Sequence, residues 1–323
     1  MKFALSFLLA SSLMASAAQA AESASAGARF VTLGTGGGPV IRVRRSEPAN
    51  AVVVDGSVYL FDVGDGVQRQ LAAAGLPLAA VKAVFISHHH MDHNAGLGPL
   101  MMSRWIFDPL PAIPVIGPPG TRAMTAGIAA ANAATVNAPV SLGPQPPPVE
   151  ATVRPTDLPP VLDTPTEIYR DAKVRVLAIS VAHFHLPPGM ALDPVPRAYA
   201  FRIEAGGRSF VYTGDTGPSA NLETLARGAD VLISEVIDLE AAAASARRTL
   251  PPEAVAPLLA HMRLDHLTPE DIGQVAARAG VGEVVLTHIA PGLDDEKDLT
   301  GYTRGIAPAF KGRVVVASDL DRF

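Results

Sequence analysis

The chain has no cysteine among its 323 residues. That excludes disulfides, lipoprotein attachment and thiolate metal ligation, so any metal must be held by nitrogen and oxygen. No run of basic residues stands out and the net charge is −5. Nothing therefore suggests a surface that grips a long polyanion through clustered Lys and Arg, and small substrates are expected rather than nucleic acid. Aromatic residues make up 5%, with a single tryptophan, Trp105, for which core packing is the expected role and stacking on an aromatic substrate the alternative. The leading apolar stretch, Phe3 to about Ala15 behind Lys2, ends at Ala18-Gln19-Ala20. This reads as a secretory signal cut before Ala21; it is too short and weakly flanked to be a membrane anchor. A periplasmic or secreted protein is expected, and the sequence carries no sign of oligomeric state.

What is present suits a large core: 48% of residues are hydrophobic. Residues 21–323 are expected to form one α/β domain of two half-domains, with an internal break in the proline-crowded segment 139–165. No repeat of 20 to 50 residues is visible, which excludes a solenoid. Arg29 to Leu33 reads as a strand, and Ala51 to Phe61 as a hairpin turned at Asp55-Gly56. Strands are also expected at Val174–Val181, Tyr199–Ile203, Phe210–Thr213, Val231–Ile233 and Val284–Thr287. Helices are expected over Val67–Ala74, over Thr121–Thr135, and from Thr268-Pro269-Glu270-Asp271 to Gly280. The run Gly34-Thr35-Gly36-Gly37-Gly38-Pro39 is either a tight turn or a backbone that approaches a ligand closely; no nucleotide fingerprint is completed.

After the buried run Val84-Phe85-Ile86-Ser87 come His88-His89-His90-Met91-Asp92-His93, in the spacing H-x-H-x-D-H. Four such donors within six residues cannot all reach one tetrahedral ion without strain, but they can divide between two neighbouring ions. Seven of the nine histidines follow expected strands. Besides the motif there are Ala182-His183-Phe184-His185 and Thr287-His288, and Thr213-Gly214-Asp215-Thr216 adds a carboxylate. This donor set suits zinc first, and iron or manganese second.

These ordered motifs resemble the metallo-β-lactamase superfamily, whose fold is a four-layer αβ/βα sandwich with a dinuclear site at one edge. The resemblance covers nearly all of the chain after the leader. It implies one metal held by His88, His90 and His183, with His185 as the fallback for His183. A second would be held by Asp92, His93 and His288, with Asp215 bridging and His89 turned away. Leu33 to Pro39, Phe61-Asp62-Val63-Gly64-Asp65-Gly66 and Val211 to Thr216 are most similar to ribonuclease Z and its arylsulfatase-like relatives. Ser234-Glu235 and His266-Leu267-Thr268 are similar to the glutamate and H-x-T elements that assist proton transfer in that branch. His261 has no such counterpart and is expected to be solvated.

Two features differ from ribonuclease Z: the long basic arm that grips transfer RNA has no counterpart, and a secretory leader is expected. The expected activity is a secreted, dinuclear metal-dependent hydrolysis of a small ester, with a phosphodiester or sulfate ester favoured. A lactonase, a β-lactamase-type hydrolase and a non-catalytic metal-binding carrier are the alternatives. Asp92 would orient the nucleophile, and His266, polarised by Glu235, would protonate the leaving group. Asp62 has two open roles, orienting a ligand histidine or stabilising a turn.

Overall fold

The structure, a computed structural model, describes residues 27–138, 146–186 and 189–323. The expected leader, part of the proline-rich break and Pro187-Pro188 lie outside them.

Thirteen strands alternate with nine helices among these residues. The strands are β1 (Arg29–Gly34), β2 (Ala49–Val54), β3 (Ser57–Val63), β4 (Val81–Phe85), β5 (Ile113–Gly117), β6 (Val153–Asp157), β7 (Thr166–Arg170), β8 (Val174–Ser180), β9 (Tyr199–Ala205), β10 (Arg208–Tyr212), β11 (Val231–Ile237), β12 (Glu283–Ala290) and β13 (Arg313–Val316). The helices are α1 (Val67–Ala73), α2 (Met91–Asn94), α3 (Leu97–Phe107), α4 (Thr121–Ala131), α5 (Ala133–Val136), α6 (Ala220–Ala226), α7 (Leu239–Thr249), α8 (Pro252–Asp265) and α9 (Pro269–Ala279). β1 to β6 form one sheet in sequential order, and the second runs β13-β12-β11-β10-β9-β8-β7.

Alternation along the strands explains why the two sheets stack. Val52, Val54, Tyr59, Phe61 and Phe85 of the first sheet face Val176, Phe201, Ile203, Phe210 and Ile233 of the second, forming a dry core between them. The opposite faces are covered by helices: Leu71, Leu97, Leu100, Met101 and Trp105 pack on the first sheet, and Leu222, Leu225, Ile272, Val275 and Ala276 on the second. This is the four-layer αβ/βα sandwich. Trp105 is a core residue whose Nε1 donates to Pro147 O at 2.8 Å, as expected.

The parallel pairings β3·β4, β10·β11 and β11·β12 bring several strand ends to one edge. Pro155 lies in β6, at the margin of its sheet, where the missing amide is tolerated. Asp55-Gly56 turns the β2–β3 hairpin with positive φ at both residues. Thr268 caps α9 in a reciprocal box with Asp271, and Gly280 ends it in the left-handed region. The helix expected over 121–135 is divided at Asn132 into α4 and α5.

Candidate metal centre

β4 ends at Phe85, and the chain continues through Ser87 to deliver His88 into the edge between the sheets. The single turn α2 then places Asp92 and His93 on the same side, both buried. From the second sheet, the segments after β8 and β10 supply His183 and Asp215, and the end of β12 supplies His288. Ligand-capable atoms converge in four overlapping groups, one of them Asp215, Glu235, His266 and His288, and two of them match the expected ligand sets. In the first, His90 Nδ1 lies 3.1 Å from both His88 Nε2 and His183 Nε2. In the second, Asp92 Oδ2 lies 3.5 Å from both His93 Nε2 and His288 Nε2. Asp215 Oδ2 stands between the groups, at 3.1 Å from His288 Nε2, 3.4 Å from His93 Nε2 and 3.9 Å from His88 Nε2.

Buried acceptors decide which imidazole nitrogen faces inward. Asp62, fully buried with φ 58°, receives the Ser87 amide and hydroxyl, the Tyr212 hydroxyl and His93 Nδ1–H, each at 2.7 Å. Of its two open roles, the structure shows the orienting one. Ser87 Oγ lies 3.0 Å from His88 Nδ1, and the Asp265 carbonyl accepts from His183 Nδ1 at 2.9 Å. Each outward bond at Nδ1 turns Nε2 inward, the position a metal would take.

The charge pattern differs between the groups. Burial pushes His88 far down, His90 down and His183 to about 4, so these rings are neutral donors. Burial also opposes charge on His93 and His288, but neighbouring carboxylates, Asp215 first, hold His93 well above its ordinary value and His288 at about 10. Asp92 is held at about 2, burial being outweighed by His93 and His288. Protons there occupy positions that a cation would take. His93 Nε2, His288 Nε2 and Asp215 Oδ1 are buried with no hydrogen-bond partner among the described residues, so the donor set fits divalent ions.

The glycine run forms the wall of this centre. Gly38 N–H donates to Asp92 Oδ2 at 3.1 Å, and a Cβ at Gly38 would lie 2.3 Å from Asp92 Cβ. The run packs closely on the Asp92 side chain, which leaves no room for a Cβ at Gly38. Asp319 ties this loop down, accepting from Thr35 N and Oγ1 at 2.9 and 2.7 Å and from Ser46 N at 2.7 Å.

Glu235 and His266 meet at the rim. Glu235, fully buried, accepts from Thr216 N and from His266 Nδ1, both at 2.6 Å. Burial raises Glu235, whereas His266 is held up by that carboxylate against burial. The His266 ring, 16% exposed, keeps Nε2 for other partners.

Of the other histidines, His185 is 45% exposed and pairs with Asp265 rather than joining the cluster. His261, 60% exposed, pairs with the same carboxylate. His89 turns away to Pro118 O at 3.4 Å and Thr121 Oγ1 at 3.3 Å. Sequence reasoning did not find Asp265, Tyr212 or Asp319. The only local signal was that Asp265 directly precedes the H-x-T element.

Residues 52–289 match the model of the beta-lactamase superfamily domain. The chain belongs to the beta-lactamase superfamily. A ribonuclease Z from Mycolicibacterium paratuberculosis is 34% identical over 306 residues, spanning 90% of this chain and 96% of that protein. The short form of human tRNase Z superposes with a TM-score of 0.63 at 20% identity, over 91% of this chain and 98% of that one. Zn(2+)-bound PqqB from Methylobacterium extorquens gives 0.60 at 18% identity, over 91% and 99%. This chain is a metallo-β-lactamase-fold hydrolase, and its resemblance to ribonuclease Z stands.

The expectation of a small substrate in place of nucleic acid is corrected by these relatives, whose name is that of a ribonuclease and which align along nearly the whole chain. Net charge misled because it averages over the surface, whereas phosphate contact needs only a few local cations. Arg42 and Arg44, the latter exposed, follow directly on the glycine wall. Among the described residues no helix is long and apolar enough to cross a membrane.

Proposed function

We propose that this hydrolase is a metal-dependent phosphodiesterase acting on RNA, as the name of its ribonuclease Z relatives states for them. The observation that carries this reading is the Glu235–His266 pair beside the two donor groups. A phosphodiester with a poor alkoxide leaving group needs a proton donor, whereas an activated lactone or β-lactam has less need of one. Arg42 and Arg44 beside the glycine wall suit an anionic chain.

In this reading His88, His90 and His183 would hold one ion and Asp92, His93 and His288 the other, with Asp215 within reach of both groups. Zinc is the proposed metal, given a cysteine-free set of imidazoles and carboxylates. When bound, two such ions supply Lewis acidity and offset charge at phosphorus. Asp92, held by the Gly38 amide, orients the attacking water and accepts its proton. His266 Nε2 gives its proton to the departing oxygen as the P–O bond breaks, and Glu235 stabilises the imidazolium before transfer. Residues 21–323 form the catalytic domain, and segment 1–20 is proposed as a leader removed on export.

The test is a panel of bis(p-nitrophenyl) phosphate, single-stranded RNA, an aryl sulfate, a lactone and a cephalosporin, assayed with metal-loaded protein and after chelation. Chelator-sensitive turnover of the phosphodiester and RNA supports the reading. Preference for sulfate, lactone or cephalosporin refutes it. Amino-terminal sequencing of the exported protein tests the leader: a start at Ala21 is expected.

A further inference from the structure

A cavity of about 120 Å³ opens at the C-terminal end of β8, lined by Ser180, Phe184, Arg197, Pro160, Val161 and Pro196 among others. None of its lining residues is acidic. That matters for Arg197, because other arginines of this chain sit against carboxylates: Arg104 on Asp108, Arg175 on Glu167 and Glu204, Arg278 on Glu223. Arg197 Nε is buried with no hydrogen-bond partner among the described residues. A guanidinium that lines a cavity free of carboxylates suits an anion such as phosphate, which its fork holds through two N–H donors.

Ser180 supplies a second donor on the cavity wall. Ser180 Oγ accepts from Leu162 N at 2.8 Å, which leaves its hydroxyl proton free to donate. The cavity is also one ring away from the metal centre. Phe184, on its wall, lies with its centroid 4.8 Å from that of His183, 5.1 Å from His90 and 5.9 Å from His88. A molecule with its scissile group over His183 and His90 would pass Phe184 to place an anion beside Arg197.

From this geometry we infer that the Arg197–Ser180 cavity is an anion subsite that takes a second phosphate of the substrate, the one flanking the scissile phosphodiester. Phe184 is the partition that separates the two phosphates and offers a face to the intervening nucleoside. The inference rests on the phosphodiesterase reading but is testable apart from turnover.

Binding of adenosine 3′,5′-bisphosphate and of adenosine 5′-phosphate is measured by calorimetry on the metal-loaded full chain, for the parent, Arg197→Gln and Arg197→Lys. The parent is expected to bind the bisphosphate at least about tenfold more tightly than the monophosphate, as fits one added charge-assisted contact. Arg197→Gln should lose that advantage while its affinity for the monophosphate stays unchanged; Arg197→Lys, keeping charge without the fork, should retain part of it. In parallel, KM for single-stranded RNA should rise about tenfold in Arg197→Gln with no change for bis(p-nitrophenyl) phosphate, which has no flanking phosphate. Equal affinity of the parent for both nucleotides, or an undiminished advantage in Arg197→Gln, overturns the subsite. Failure of the phosphodiesterase reading would show separately, as absence of RNA and phosphodiester turnover in the parent while calorimetry still reports on Arg197.

Discussion

Glu235 Oε2 accepts the Nδ1 proton of His266 at 2.6 Å, and the carboxylate is completely buried whereas the imidazole reaches the rim. The pair can therefore deliver a proton outward from Nε2 and recover it from solvent. His266→Ala should keep its bound metal and lower kcat on RNA by about 10²–10⁴-fold, with a smaller loss for bis(p-nitrophenyl) phosphate, whose leaving group needs less protonation. Steady-state kinetics alongside metal analysis checks this. Equal losses on both substrates would refute the acid role.

Asp62 collects four hydrogen bonds, including that from His93 Nδ1. Its replacement by alanine strands buried donors and frees the His93 ring. Asp62→Ala should weaken metal binding by about 10–100-fold, and its cost to folding should show as a lowered Tm. Competition with a metal-binding dye reads the first effect, and an unchanged dissociation constant would count against the orienting role.

Gly38→Ala is expected to damage the centre without adding charge or bulk beyond one methyl. That methyl would lie 2.3 Å from Asp92 Cβ and Oδ2, so either the loop or Asp92 must move. Reduced occupancy of one metal of two, with the overall fold kept by circular dichroism, is the expected result. Full occupancy with parental activity would mean that the loop yields freely.

Away from the site, burial pushes the Asp171 carboxyl up, but the Tyr59 and Tyr169 hydroxyls and the Lys173 and Val174 amides outweigh it and hold it below the usual range. A depressed folded-state value adds stability above the unfolded pKa, about 3.9, and that stability is lost as pH falls through the folded value. Asp171→Asn should therefore lower Tm at pH 7, with the gap to the parent closing below about pH 4. Thermal melts of both proteins from pH 7 to pH 3 provide the check; a gap that is constant across this range would show that ionisation plays no part.

Chelation should leave the charges of Asp92 and Asp215 offset only by protons on the buried His93 and His288 that they share. The metal-free protein is expected to melt at a lower temperature than the loaded one, and zinc should restore the difference in a concentration-dependent way. Asp215→Ala should abolish that response, since it touches both donor groups.

Much of this molecule follows from local pattern. H-x-H-x-D-H behind a buried strand, the Asp55-Gly56 hairpin and the Thr268 box with Gly280 each depend on neighbours in sequence, so their chemistry is legible there. The donor set, with no thiolate available, belongs to the same class: residue type and strand-end placement are sequence properties. β7 and β13, short strands at the margin of the second sheet, went unread because their pairing partners, not their own residues, define them. The helix α8 lacks an apolar stripe, burying only Val255 and Asp265.

The sequence alone determined a centre of imidazoles and carboxylates, and the family its motifs resemble implied the four-layer architecture. Tertiary structure decided which of His183 and His185 joins it, because both stand behind the same strand and only the Asp265 carbonyl and carboxylate separate their directions. It also brought Asp62 and Asp319 to the site from distant parts of the chain. Those placements depend on the packing of two sheets, a relation between residues that no local spacing encodes.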